Sequence, residues 1–144
     1  MCPMCNPDGE YQDLIIQTFK YWRVELNCNQ TYLGWCLIIL NRHLEDLMDI
    51  TNEEQAELFE ISRKVRDAIK ESFHPDMFNY ASLGNQTSHL HLRIIPRYSK
   101  PVKFEGIEFK DERWGENYSP YNKNFLIPKE VEIKIKRAIK KKLI

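Results

Sequence analysis

The sequence predicts an α+β fold. Strand-like segments flank one strongly patterned helix, short polar connections suit antiparallel returns, and a second amphipathic helix closes the chain. At 144 residues the chain fits one domain, 1–144, large enough to bury a core without disulfides.

Residues 1–10, which include Cys2-Pro3-Met4-Cys5-Asn6-Pro7-Asp8-Gly9, are dense in turn formers and read as a knuckle. Leu14 to Leu26 is β-rich and predicts two strands broken near Lys20. Asn27 to Gly34 reads as a polar connection. Trp35-Cys36-Leu37-Ile38-Ile39-Leu40 is a continuous apolar run, as expected of a strand buried on both faces. The helix follows: Thr51 with Glu54 three residues on is a capping-box signature. Leu58, Ile61, Val65 and Ile69 then share one helical face. His74-Pro75 ends it, because the residue before proline is disfavoured in the α region. Met77–Leu83 and His89–Ile95 predict two more strands around the turn Gly84–Ser88. Residues 98–144 form a C-terminal extension, aromatic at first and ending in a helix that begins with Pro128 as its first helical residue. Val131, Ile135, Ile139 and Leu143 recur at helical spacing and predict docking on the domain, with lysines complementing the helix dipole.

The formal net charge is zero, so nothing global argues for a polyanion as the main partner. The longest apolar run is far short of the ~20 residues of a membrane helix. Met1–Cys5 has no apolar centre of the kind a signal peptide carries, so the expected compartment is cytoplasmic, with thiols reduced. Cys28 and Cys36 read as core residues in apolar, strand-like surroundings. Cys2-x-x-Cys5 reads as metal-binding, redox-active or accidental; the thioredoxin-like context that redox activity wants is missing. Two thiolates need two further ligands for tetrahedral zinc. With His74 at a helix end and His91 set aside for chemistry, His43 and His89 are the candidates.

In a strand, His89, His91 and Arg93 of Ser88–Arg97 project together, while Leu90, Leu92 and Ile94 face the core. Such a face suits an anion, and a neutral imidazole beside fixed positive charge can attack phosphorus. Two histidines packed on a half-buried strand is the plainer reading of an isolated His-x-His. Arg97 is either a polyphosphate contact or a solvated loop residue. Trp114, Tyr118 and Tyr121 either stack on a base or, the favoured reading, pack against the sheet or a partner.

The stretch Asn85 to Arg97 resembles the signature of the histidine-triad superfamily, and Gly34 to Leu47 resembles the strand and helix entry that precede it there. The N-terminal Cys-x-x-Cys resembles the zinc-containing branch, and Arg113–Tyr118 resembles diadenosine-polyphosphate-hydrolase-like members. The resemblance implies a five-stranded antiparallel sheet with two main helices, usually paired as a homodimer. It implies structural zinc held by Cys2, Cys5, His43 and His89. It makes His91 the nucleophile on an α-phosphate, with its Nδ1–H held by the carbonyl of His89. Asn85, Gln86 and Thr87 fall in the phosphate-contacting loop, Asn27 at the ribose and Cys28 near the base.

Two departures stand out: Arg93 replaces the third histidine, and Trp35 follows Gly34 where the family has histidine. Arginine can clamp phosphate but does not shuttle a proton. The expected activity is cleavage of a phosphoanhydride or phosphoramidate beside a nucleoside monophosphate, with dinucleoside polyphosphates preferred. Transfer to phosphate or a sugar phosphate is the second expectation. A non-catalytic nucleotide- or nucleic-acid-binding module is the alternative of another class.

Overall fold

The computed structural model describes residues 2–143; Met1 and Ile144, the two ends of the expected domain, lie outside the described residues. Strands β1 (Ile15–Thr18), β2 (Trp22–Leu26), β3 (Cys36–Leu40), β4 (Met77–Ala81) and β5 (His91–Arg97) form one sheet. Its order is β1-β2-β3-β5-β4, with every pair antiparallel. Helices α1 (Asn52–Phe73) and α2 (Lys129–Lys142) complete the α+β architecture that the sequence predicts.

The alternation of side chains divides the sheet into two faces. Trp22, Val24, Leu26, Cys36, Ile38, Leu40 and Ile94 meet Leu58, Ile61, Val65 and Ile69 of α1 and Val131, Ile135 and Ile139 of α2 in the main core. The capping box forms: Thr51 Oγ1 accepts from the Glu54 N–H while the Glu54 carboxylate accepts from the Thr51 N–H. Two further contacts lock α1 to β2. The Trp22 indole donates to the Glu54 carbonyl at 2.8 Å, and the Glu57 carboxylate accepts the N–H groups of Lys20, Tyr21 and Trp22 at the β1–β2 turn.

Several details differ from the sequence expectation. Cys28 is exposed rather than core, because the chain has already left β2 at Leu26; only Cys36 is buried. The ladder of β5 starts at His91, not His89, and runs through Pro96 to Arg97. Pro128 is the N-cap of α2 rather than its first residue, so the helix starts at Lys129, one position after the expected start. The extension also contains an unforeseen hairpin, β6 (Val102–Phe104) with β7 (Ile107–Phe109). Gly106 provides its left-handed turn at φ 78°.

Candidate active site and metal centre

The second sheet face carries the chemistry. Cross-strand register sets Arg23, Ile39 and His91 in one row and Glu25, Leu37 and Arg93 in the next. An apolar column from β3 thus runs between charged columns from β2 and β5. Arg23 and Glu25 are buried and ion-paired at 2.7 Å, and Arg23 also donates to the Met4 carbonyl at 2.6 Å. That contact ties the knuckle to the sheet.

His89 and His91 flank the start of β5, and both are buried. The His91 Nδ1 lies 2.7 Å from the His89 carbonyl, so it carries the proton and Nε2 keeps its lone pair. Burial holds the His91 imidazole below its ordinary pKa, and the Arg93 charge adds to the effect against the opposing His89 hydrogen bond. A neutral imidazole at pH 7 follows.

Cys2, Cys5, His43 and His89 converge, their ligand atoms lying within 4.8 Å of one another. The closest approaches are Cys2 Sγ–His89 Nδ1 3.3 Å, Cys5 Sγ–His43 Nδ1 3.3 Å, Cys5 Sγ–His89 Nδ1 3.4 Å and His43 Nδ1–His89 Nδ1 3.3 Å. Ligands on the edges of a tetrahedron with ordinary zinc bond lengths stand about 3.3–3.7 Å apart. The tautomers fit as well. His89 Nε2 donates to the Leu40 carbonyl at 2.6 Å and His43 Nε2 faces the Glu45 carboxylate at 3.3 Å, which leaves both Nδ1 lone pairs aimed inward. Two imidazole lone pairs facing each other at 3.3 Å repel unless a cation lies between them. The donor set therefore fits zinc.

The other expected site residues are distributed unevenly. Asn85 and Gln86 are exposed and Thr87 half-buried in the bends that lead into His89. Asn27 is buried, and its amide nitrogen donates to the Asn29 carbonyl. Exposed Cys28 lies beside it. Arg93 is half-buried, its guanidinium carbon 5.9 Å from the Trp35 ring. Trp35 is fully buried, with no acceptor for its indole N–H among the described residues. Tyr118 and Tyr121 of the extension meet it edge-on at 5.8 and 4.9 Å, in line with the favoured packing reading; Trp114 is exposed.

Arg97 is neither of the things its sequence position suggested. It is buried, bonds Asp111 through Nε and Nη2, and donates to the carbonyls of Arg113 and Glu116. It anchors the extension across the sheet. The structural partner Asp111 was missed, since nothing local in the sequence marks it. The Trp35 packing likewise depends on residues more than 80 positions downstream.

A five-stranded antiparallel sheet with two histidines at the start of β5 and a cysteine–histidine cluster matches the fold and ligand set that the histidine-triad resemblance implies. The HIT domain model matches residues 8–100, and the chain belongs to that family. It is similar to a Mycobacterium tuberculosis (strain H37Rv) protein named AP-4-A phosphorylase, with 26% identity over 102 residues, covering 67% of this chain and 52% of the relative. It is also similar to the solved histidine triad nucleotide-binding protein ST2152 of Sulfolobus tokodaii, at TM-score 0.76 and 18% identity, covering 99% of this chain and 91% of that one. A zinc-bound histidine triad protein of Mycobacterium smegmatis aligns at TM-score 0.67 and 20% identity, over 99% of this chain and 92% of that one. The chain spans between 52% and 60% of the length of the curated relatives it matches. No helix among the described residues is long and apolar enough to cross a membrane.

Proposed function

We propose that the protein cleaves dinucleoside polyphosphates, or related nucleoside monophosphate conjugates, through a nucleotidyl-histidine on His91. The observation that carries this reading is the His91 Nδ1–His89 carbonyl bond, which leaves Nε2 as the attacking atom on a face that also carries Arg93. His91 attacks the α-phosphorus, and Arg93 with the loop Asn85–Thr87 holds the phosphates. Asn27 and Cys28 take the ribose and base end. Asn27 accepts a weaker hydrogen bond from ribose than an acidic residue would.

Zinc on Cys2, Cys5, His43 and His89 supplies a fixed cross-link between the N-terminal knuckle and the strand that bears His91, in a compartment read as cytoplasmic and reducing. A homodimer completes the reading: β4 is an open sheet edge, and Met77, Tyr80 and Leu83 on and beside it are exposed together with Met48 and Phe59 near an apolar groove of about 650 Å³.

The test is nucleotide release from diadenosine tetraphosphate by zinc-loaded protein, with and without inorganic phosphate. Adenosine monophosphate as a product supports hydrolysis, whereas phosphate-dependent adenosine diphosphate favours the second reading, a phosphorylase, for which the M. tuberculosis relative's name speaks. Salt-sensitive oligonucleotide binding with no release in either condition would replace both with a binding module.

A further inference from the structure

Arg93 differs from most of the other arginines in its surroundings. Arg23, Arg42, Arg66, Arg97 and Arg113 each face a carboxylate. Arg93 makes no ion pair or side-chain hydrogen bond among the described residues and lies instead over the Trp35 ring. That indole is packed edge-on by Tyr118 and Tyr121, and the Tyr118 backbone is itself held by the Tyr32 hydroxyl at 2.6 Å. An aromatic face steadies a guanidinium while leaving its N–H edge open to an anion. Arg93 stands two residues from His91, about 7 Å along the same strand face.

From this arrangement we infer that Arg93 restricts the enzyme to leaving groups that depart as stable anions: it cleaves phosphoanhydrides and rejects phosphoramidates. The inference rests on the nucleotidyl-transfer reading above. In the first step His91 Nε2 forms a bond to the α-phosphorus and the bond to the bridging oxygen breaks. Its electron pair stays on a phosphate oxygen, whose negative charge Arg93 meets without any proton moving. Water or a phosphate oxygen then attacks the same phosphorus. The phosphorus–nitrogen bond breaks, its pair returns to Nε2, and a proton from water passes to solvent.

An amidate differs at the first step. Its electron pair would land on nitrogen, and an amine departs only if a proton arrives as the bond breaks. A guanidinium has none to give near neutral pH. The acid that the register places in the Arg93 row, Glu25, is occupied by Arg23. Loss of a positioned general acid costs on the order of 10²–10⁴-fold in rate.

The experiment compares diadenosine tetraphosphate with adenosine 5′-phosphoramidate, using zinc-loaded wild type, Arg93→His and Arg93→Gln. Wild type is expected to favour the anhydride by roughly 100-fold or more. Arg93→His should narrow that ratio by raising amidate turnover, because an imidazolium can donate a proton. Arg93→Gln should slow the anhydride without helping the amidate. Because the readout is a ratio within one preparation, partial misfolding cancels. Equal wild-type rates on both substrates, or a ratio unchanged in both variants, would overturn the inference and leave the nucleotidyl reading standing. Wild type that turns over neither substrate would overturn both.

Discussion

The Nδ1 of His91 donates to the main-chain carbonyl of His89 at 2.7 Å, and the His89 imidazole turns the other way into the cysteine cluster. One residue thus fixes the tautomer of His91 and completes the candidate metal-ligand cluster. Removing the His91 imidazole should leave that centre intact. His91→Ala is expected to lose at least ~1,000-fold in diadenosine tetraphosphate turnover, as loss of a covalent nucleophile does. Zinc content and circular dichroism should match wild type. Near wild-type turnover in the variant would end the mechanism.

Purified protein should contain about one zinc per chain, and Cys5→Ser should lose both the metal and stability. Structural zinc contributes several kcal/mol, and at about 2–4 °C per kcal/mol the melting temperature should drop by roughly 10 °C or more. Metal analysis with thermal melting checks this. A metal-free wild type that melts at the same temperature after zinc addition would contradict it.

The Arg97–Asp111 pair is shielded on both sides, with side-chain exposures of 3% and 0%. Asp111→Ala strands a buried guanidinium and should cost about 3–5 kcal/mol. Urea unfolding of the variant should show an earlier midpoint; a shift below about 1 kcal/mol would mean that the anchor is dispensable.

Acid should weaken the α1 N-terminus. The Arg42 guanidinium, with the Thr51 N–H, holds the Glu54 carboxyl down to about 2 from 4.5. A lowered folded-state pKa means that stability is fully present above about pH 4.5 and is lost as pH falls toward 2. With Arg42 half-exposed, the Glu54→Gln deficit should be about 2 kcal/mol at neutral pH and should vanish near the bottom of that window. Parallel melts across this range test it, and a pH-independent deficit would sink the argument.

What the sequence made legible was local or carried by family spacing. Thr51 and Glu54 lie within one turn, so the cap of α1 could be read directly, and the period from Leu58 to Ile69 gave its buried face. Cys2, Cys5, His43 and His89 could be matched as a ligand set only through resemblance, since the chain separates its members by up to 87 positions. Arg97 and Asp111 were not legible as a pair, because an isolated charged residue after a proline carries no mark of its partner. Cys28 misled for a related reason: it lies only two residues past the end of β2 at Leu26, too close for the sequence to separate it from the buried strand. The β6–β7 hairpin, three residues per strand, is too short for alternation to stand out from its aromatic surroundings.

The separation of Cys2 from His89 also bears on the order in which the molecule becomes competent. On the ribosome the first two thiols emerge early, yet the fourth ligand follows only after both α1 and β4 have been made. Tyr118 and Tyr121, which steady Trp35 beneath Arg93, come later still. A nascent chain therefore passes through a long interval in which its cysteines lack their fourth partner, and on the proposed zinc reading metal capture waits for His89, which emerges just ahead of β5, the strand that joins β3 to β4.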